Sequence, residues 1–590
     1  MYMRLSPALE CFSVFSFPLL TLIRMAASRV WSKLSLSSII LPSNPAVHSF
    51  LYPLGRPLFF LEAVVLFDRL AACVDSKMTP ILELPSEILN EIFNHFLPIL
   101  TDGDYKRHAE SVIEEPADKS SLLSAALTCK AFLEPALDRL WWDMDDLTPL
   151  FDLIPGFQPS TDASTLGKIH GPIAHEVVQR LEVFCKRIQI YHECGKESID
   201  ISAYERVLQE YNQETLLPSL RILSITNSIP QLPLLLAHPA ELRTLRILQN
   251  KTPNSDDYVH TSMKQLPQQV KTITHLRLET FLTKELLVSV LRLQGLQWLH
   301  LRHTNDDTPF QTDVDTLLDI CSMLHLRRLY FDGDIHLASG ESSSRPKTIC
   351  PTLNDLHFSP RPRIPFKRLL HFLSSASFPQ LNYLSINTEC EPDDVPHWNY
   401  LFRTLVENTS PEFEFLDIHD MSSITWQNHN LTLRNVPDLF KLKLVGFESP
   451  RSVFSIKDAD ISALASAWPN MRSLSLSTCP PTSFTFQTII ELAEAFPNLG
   501  LLALGEVNLN ILPPLNSVPI LKDHDLIQLL IDPGEWEIKD LKALAGSLDR
   551  LLPYLHNFGF MGPRDLDDPE QEVVSSLREM QKARRDELSR

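Results

Sequence analysis

The chain has 590 residues, and 53 Lys and Arg against 73 Asp and Glu give it a formal net charge of −20. This excess of carboxylates argues against a nucleic-acid-binding protein, because contacts to phosphates require clustered surplus Lys and Arg. Hydrophobic residues make up 44% and charged residues 21%, so the composition excludes disorder for the bulk of the chain and is sufficient for a core.

The nine cysteines contain no C-x-x-C pair and are odd in number. This usage favours a reducing intracellular compartment over a disulfide framework. We therefore expect a cytoplasmic or nuclear protein.

Residues 1–77 differ from the rest of the chain. A membrane-spanning helix needs ~18–20 consecutive apolar residues. The apolar run at 11–23 is too short for this, and the run at 51–70 is interrupted by charged residues. Three interpretations stay open: a poor signal peptide, a transit peptide, and an extension outside the folded protein. We favour the extension, with Met78 as the working start of the protein, and expect no membrane partner.

Three short helices are predicted between residues 81 and 142. Pro85 suits the first turn of a helix, and Ile88, Leu89, Ile92 and Phe93 follow on one helical face before Pro98 ends it. Two further apolar stretches contain Leu122, Leu123, Ala126 and Leu127, and then Phe132, Leu133, Ala136 and Leu140. Three such helices cannot bury all these side chains among themselves, so a partner or the following domain must cover part of them.

The order Leu-Pro-x-x-Ile-Leu-x-x-Ile-Phe, then Cys129, Phe132 and Leu140-Trp141, resembles an F-box, the module by which substrate receptors dock on the Skp-type adaptor of cullin–RING ubiquitin ligases. Its spacing is looser than in the family between the first two helices. The alternative is a plain three-helix cap on the next domain. The resemblance implies that the adaptor-binding residues are Leu84, Pro85, Ile88, Leu89, Ile92, Phe93, Leu123, Cys129, Phe132, Leu140 and Trp141.

A pattern of the form apolar-x-x-apolar-x-apolar recurs through the remaining chain. Its copies begin at Cys185, Leu220, Leu242, Ile273, Leu296, Leu326, Leu353, Leu381, Phe413, Leu439, Met471, Leu499, Leu526 and Leu555. The mean spacing from Leu220 onward is about 28 residues, within the range of leucine-rich repeats. Helix-period segments lie between the copies, so each unit is predicted to be strand, loop, helix and loop.

These repeats predict an α/β solenoid, an irregular leucine-rich-repeat horseshoe preceded by a small all-α module. Only Asn250 and Cys479 occupy the ninth repeat position, where regular repeats have Asn or Cys, so the solenoid is expected to be uneven. The arrangement resembles the F-box/leucine-rich-repeat proteins abundant in mushroom-forming fungi. The predicted domains are an extension at 1–77, the F-box module at 78–142, a linker at 143–175, the solenoid at 176–562 and a charged tail at 563–590.

Alternate residues of each predicted strand face the concave surface of the solenoid. In the middle repeats they form a basic and aromatic stripe, against the acidity of the whole chain. We expect it to bind a protein target, and its arginines suit an acidic or phosphorylated segment. The alternative is a solvated face near Glu279, Asp332 and Asp355. The stripe consists of Arg246, His275, Arg277, Trp298, His300, Arg302, Arg328, Tyr330, His357 and Tyr383.

No motif with catalytic specificity is found, so we expect neither an enzyme nor a cofactor or metal. His175-Glu176-x-x-Gln179 lacks the second imidazole of the zinc-protease motif. His192-Glu193-Cys194 places its side chains too close in sequence to converge on one metal. Gly167-Lys168 lacks both the upstream glycine and the following Ser or Thr of a P-loop. The resemblance thus implies a non-catalytic substrate receptor. The alternative is an interaction scaffold without a role in ubiquitylation.

Overall fold

A computed structural model describes most of the chain from residue 119 onward. The described residues are Leu89, Phe93, 119–128, 130–159, 166–193, 199–211, 215–226, 231–237, 239–249, 256–304, 310–332, 335–337, 346–358, 364–389, 397–420, 433–449, 456, 458–476, 484–522, 524–532, 538, 540–561 and 569–588. The chain divides between Met144 and Asp145 into two compact units.

The described residues of the first unit are mostly helical, apart from a short strand at Asp143–Met144. Helices α1 (Lys119–Thr128) and α2 (Lys130–Leu140) match the second and third helices of the sequence prediction, and Leu89 and Phe93 are both helical. They share a small core in which the rings of Phe93 and Phe132 meet edge to face, with centroids 5.8 Å apart. The buried members of this core are Leu89, Phe93, Leu122, Ala126, Phe132 and Ala136.

The second unit is built on one long sheet whose strands follow one another in chain order. From Ile190 onward every neighbouring pair is parallel. The strands are β1 (Ile190–Glu193), β2 (Ile222–Thr226), β3 (Thr244–Leu248), β4 (His275–Thr280), β5 (Trp298–His303), β6 (Arg328–Asp332), β7 (Asp355–Phe358), β8 (Tyr383–Glu389), β9 (Phe415–Asp420), β10 (Gly446–Ser449), β11 (Ser473–Leu476), β12 (Leu501–Leu504), β13 (Gln528–Ile531) and β14 (Asn557–Phe560).

Helices alternate with most of these strands. They are α3 (Thr148–Phe151), α4 (His175–Cys185), α5 (Ile201–Tyr211), α6 (Leu232–Leu235), α7 (Asp256–Gln269), α8 (Lys284–Val290), α9 (Val314–Cys321), α10 (Phe366–Ser374), α11 (Trp398–Asn408), α12 (Asp458–Ala467), α13 (Phe486–Ala495), α14 (Leu541–Leu551) and α15 (Pro569–Leu588). Short 3-10 turns lie at Leu433–Asn435, Leu439–Lys441 and Leu515–Ser517. Parallel strands in chain order with intervening helices make the second unit a leucine-rich-repeat solenoid, as the repeats predict.

The core of the solenoid lies along two apolar rows of the sheet. Leu245, Leu276 and Leu299 are in register on adjacent strands and have no exposed surface. Ile247, Leu278 and Leu301 form the second row in the same way. Because one unit cannot bury its own leucine face, each strand depends on its neighbours, and the solenoid is stabilised by stacking.

Polar side chains fix several helix starts. Thr283 and Asp313 cap α8 and α9 by accepting hydrogen bonds from backbone N–H groups of Leu286 and Thr316, and Asp540 caps α14 in the same way. Each cap satisfies one of the amide groups that a helix start leaves without a partner. The strand-to-helix turn is therefore encoded locally in these repeats.

Two predicted repeats are displaced in the structure. The strand residue in register with Leu223 is Tyr191, so the first copy starts at Ile188 and the prediction of Cys185 was wrong. The strand residue in register with Leu416 is Phe447, and Leu439–Lys441 forms a 3-10 turn. The prediction of a copy that begins at Leu439 was therefore wrong too. The prediction at Leu439 failed because the buried apolar residues of the segment that begins with this 3-10 turn have the same spacing as the repeat pattern.

Further short strands make the repeats uneven. Pairs form between 157–158 and 168–169, between 310–312 and 335–337, between 348–349 and 376–377, and between 484–485 and 507–508, while 364–365 pairs with the end of β8. The predicted ninth-position residues, Asn250 and Cys479, lie outside the described residues.

Side chains also form hydrogen bonds between repeats. Inter-repeat hydrogen bonds from side chains include Thr272 Oγ1 to the Leu242 carbonyl at 2.7 Å and Thr352 Oγ1 to the Leu326 carbonyl at 2.9 Å.

The segment predicted as a charged tail contains α15. Val573 and Leu577 on this helix are buried, and Gln581 Nε2 donates to the Leu555 carbonyl at 2.8 Å. Arg584 donates to the Asp549 carboxylate of α14. One side of the helix thus covers the last repeat, and the apolar end of a solenoid requires such a cap.

Candidate functional site

The predicted stripe residues lie on β3 to β8, on the side of the sheet away from the two apolar rows; we call this side the open face. Strand register aligns them in three rows. His275, Trp298, Arg328 and Tyr383 belong to the first row, and Arg302 belongs to the third. The second row contains Arg246, Arg277, His300, Tyr330 and His357. The structure thus brings all ten together on one surface.

Aromatic and imidazole rings on this face form a continuous array, which we call the ring row. Tyr330 and His357 stack with ring centroids 4.2 Å apart, and His357 and Tyr383 stack at 4.4 Å. Each ring is half-buried and contacts the next across the strands. Such half-exposed rings offer large contact area at low conformational cost. The ring row comprises His275, Trp298, His300, Tyr330, His357, Tyr383 and Phe415.

The arginines of the stripe are paired with carboxylates of the same face. Arg277, only 8% exposed, pairs with Glu279 two residues along its strand. Arg302 lies 3.5 Å from Glu279 and 3.4 Å from Asp332. Arg328 pairs with Asp355 at 3.0 Å. The positive charge predicted for the stripe is therefore largely neutralised within the protein.

Two carboxylates at the other end of the face are arranged differently; Asp417 on β9 and Glu448 on β10 are in register, and we call them the carboxylate end. Asp417 accepts a hydrogen bond from Ser385 at 2.8 Å and contacts His419 at 2.9 Å. Glu448 accepts from Ser473 at 3.3 Å. Within the described ranges no lysine or arginine pairs with either carboxylate.

The pKa shifts show opposite electrostatic environments along the face. Burial, together with the nearby Arg277 and Arg302, lowers the pKa of His300 to about 3, so this imidazole is neutral at pH 7. Burial, followed by the charges of Asp417 and Glu448, raises the pKa of Tyr383. Burial and the neighbouring Asp417 also raise the pKa of Glu448. After burial, the next causes are Arg277 and Arg302 for the pKa of His300, and Asp417 and Glu448 for the pKa of Tyr383.

Sequence reasoning missed the carboxylate end and the last ring. The alternation rule, applied to the repeat that begins at Phe413, would have identified Phe415 and Asp417 as residues of the open face. Glu448 was hidden because its repeat was placed at Leu439. Gly446 was a usable signal, since a Cβ there would collide with the Phe415 ring.

The near-miss motifs are described in part. His175 Nε2 lies 3.1 Å from Gln179 Nε2 on the exposed side of α4. Glu193 accepts a hydrogen bond from Tyr191, while Cys194 lies outside the described residues. In the part of the chain that the structure describes, no group of three His, Cys, Asp or Glu side chains could hold a metal ion.

The described α-helices range from 4 to 20 residues in length. None of them is both long and apolar enough to cross a bilayer. The apolar runs of residues 1–77 lie outside the described residues.

The predicted adaptor-binding residues are described only in part. Leu89, Phe93 and Phe132 lie in the small core of the helical unit, with Leu140 packed beside it, and Trp141 is half-buried. Leu123 is 48% exposed. Leu84, Pro85, Ile88, Ile92 and Cys129 lie outside the described residues.

Leu123 is one of three exposed large apolar side chains on α1 and α2. Leu127 is 77% exposed and Leu133 is 38% exposed. Exposed large apolar side chains grouped on a small helical unit are typical of a protein contact surface. We call these three residues the helical apolar face.

No protein-family model and no curated protein sequence matches the chain. Solved structures with similar folds include the leucine-rich-repeat-containing protein LegL7 from Legionella pneumophila, with 13% identity over 55% of this chain and 95% of that chain, and a TM-score of 0.30. Another is the yeast Rad7 and Elc1 complex, with 14% identity over 80% of this chain and 95% of that chain, and a TM-score of 0.29. At these values the comparisons carry no argument about partners or activity.

Proposed function

We propose that the chain is an F-box substrate receptor, which docks on a Skp-type adaptor through its helical unit and binds a protein target on the open face of the solenoid. Its contribution is proximity, since holding a target near the charged ubiquitin carrier raises their effective concentration. The receptor is proposed to have no catalytic residues of its own.

The observation that carries the proposal is the helical apolar face. Leu123, Leu127 and Leu133 expose apolar surface on a unit that already has a small core of its own. Apolar side chains that the core of the unit leaves exposed are available to a docking partner. The Leu-Pro start and Leu-Trp end of the motif support the same assignment.

The open face supports the second half of the proposal. It combines the half-buried rings of Trp298, Tyr330 and Tyr383 with arginines, and Trp, Tyr and Arg are the residue types that dominate the energy of protein interfaces. The low glycine content, 16 residues in the chain, favours a face that binds through side chains over one that binds through exposed backbone.

The first test of the proposal is capture of the recombinant Skp-type adaptor by the full chain. We expect a stoichiometric complex from the wild type, and its loss, by about a hundredfold or more in affinity, in Leu123→Asp/Leu127→Asp, because two charges would be placed in an apolar contact. The matched control is Val183→Asp/Leu324→Asp, which charges two exposed apolar residues of the solenoid. Equal capture by both variants, with unchanged circular dichroism, contradicts docking through this face.

The alternative is an interaction scaffold that binds the adaptor without directing ubiquitylation. The helical apolar face and the open face are equally consistent with it. The two functions differ in whether the lifetime of a bound protein depends on the helical unit.

A further inference from the structure

The two ends of the open face differ in charge, and the residue types of the stripe alone do not show this difference. The positive charges lie at one end, where Arg277, Arg302 and Arg328 each pair with a carboxylate of the face. The two side chains of the carboxylate end have no such partner among the described lysines and arginines. The charge that is left for an incoming group is therefore negative, opposite to the acidic segment that the sequence predicts.

Both carboxylates accept hydrogen bonds from serine hydroxyls, and His419 lies 2.9 Å from Asp417. The hydroxyl of Ser385 donates to one oxygen of Asp417, and the hydroxyl of Ser473 donates to Glu448. Neutral hydrogen bonds fix the position of a carboxylate without cancelling its charge. Asp417 is buried and Glu448 is half-buried. The two carboxylates are in register and repel each other, and an opposite charge placed beside them removes that cost.

A buried amide beside the same end points independently to an occupant. Asn387 lies two residues beyond Ser385 on β8, so strand alternation places both on the open face. Its side chain is fully buried. In the described part of the chain, neither Oδ1 nor Nδ2 makes a hydrogen bond. Such a group costs free energy until a donor or acceptor reaches it.

Rings lead to the carboxylate end. Tyr383 and Phe415 stack with centroids 6.1 Å apart, and Phe415 precedes Asp417 by two residues on β9, on the same face. Aromatic faces attract ammonium and guanidinium groups electrostatically, and long Lys and Arg stems pack well on apolar surface. A basic side chain fits this combination of rings and carboxylates better than an acidic or a neutral one.

We propose that the open face binds an extended protein segment that places a Lys or Arg side chain against the carboxylate end, beside the rings of Tyr383 and Phe415. The inference rests on the proposed function, since it identifies the class of target that this receptor recognises. Neighbouring strands are about 4.8 Å apart, so the distance from β4 to β10 is roughly 29 Å, the length of about eight extended residues. The remainder of the segment lies along the ring row.

The experiment is selection of a random twelve-residue peptide library on the immobilised full chain, followed by affinity measurement of the enriched peptides. We expect enriched sequences to share a Lys or Arg. Their affinity for the variant Asp417→Asn/Glu448→Gln is expected to be at least about tenfold weaker than for the wild type. Changing the basic residue of the peptide to Gln is expected to weaken binding to the wild type by the same factor, which is the loss expected for a charge-assisted hydrogen bond. When Asp417→Asn/Glu448→Gln is tested with the peptide in which the basic residue is Gln, the two losses of affinity do not add, because both changes remove the same contact.

The matched control is Glu407→Gln/Glu412→Gln, which removes the same net charge from two exposed positions outside the open face and leaves the affinity unchanged. Enriched peptides that are consistently acidic overturn the proposal, as does the absence of enrichment or equal binding of basic peptides to Asp417→Asn/Glu448→Gln. Adaptor capture, measured on the same preparations, depends on the helical unit. Failure of peptide binding with intact adaptor capture therefore rejects this inference alone, and loss of adaptor capture rejects the proposed docking.

Discussion

The substitution Glu279→Ala is expected to destabilise the solenoid by about 3–5 kcal/mol, because it leaves a buried guanidinium without its carboxylate. Arg277 is 8% exposed, and two of its guanidinium nitrogens donate to Glu279. Arg302 also loses one of its two carboxylate neighbours. The measurement is chemical denaturation followed by circular dichroism, with the midpoint and slope compared between variants.

Two variants make this result specific. Glu279→Leu/Arg277→Met removes both charges, and we expect it to recover most of the lost stability, since apolar replacement of a buried pair is often neutral. Glu241→Ala breaks the exposed pair with Arg221 and should cost less than about 1 kcal/mol. If Glu279→Ala costs no more than Glu241→Ala, the pair on the open face is not a structural ion pair.

The second large effect concerns the response of the solenoid to acid. The pKa of His300 is about 3 in the folded chain, against an ordinary value of 6.5. Between these values the unfolded chain binds a proton that the folded chain does not, so the stability contributed by this site falls as the pH is lowered from 6.5 toward 3. Each pH unit in this window costs about 1.4 kcal/mol.

His300→Phe removes this proton uptake and keeps a ring between Trp298 and Tyr330. Between pH 7 and pH 4.5 we therefore expect the wild type to lose about 2–3 kcal/mol more than the variant does. Unfolding curves of both proteins at the two pH values provide the comparison. Equal losses would show that the imidazole is not held neutral by burial and by the two arginines.

The sequence predicted the open face well because that prediction needs only alternation. Leu276 and Leu278 identify β4, and His275 and Arg277 must then lie on the other side of the sheet. Burial of the apolar positions fixes this register, since a shift by one residue would expose the entire row. The rows observed across β3 to β8 follow from this constraint alone.

The charge that the open face offers to a partner could not be predicted from strand alternation. Whether Arg277 is available to a partner depends on the rotamer that joins it to Glu279 and on Arg302 from the next strand. Such pairings involve residues that the repeat pattern treats as independent. The carboxylate end depends further on the placement of β10, which the apolar turn at Leu439–Lys441 obscured.

The helical unit shows a related limit. Periodicity predicted α1 and α2, and the structure shows which of their apolar residues, among them Leu122 and Ala126, are buried. The F-box resemblance implied that Leu123 binds the adaptor, whereas Leu127 and Leu133 became candidates only from their exposure. Which apolar residues remain outside a small core is decided by packing, and packing is not periodic.

The measurement that tests the receptor function most directly is the lifetime of a protein bound by the open face. Proteins that the wild type binds through the carboxylate end, and Asp417→Asn/Glu448→Gln does not, are followed by pulse-chase labelling in cells expressing either the wild type or Leu123→Asp/Leu127→Asp. The account predicts that at least one of them is bound equally by both forms but decays several-fold more slowly with the docking variant. If every such protein has the same lifetime with both forms, the chain is a scaffold and the receptor function is wrong.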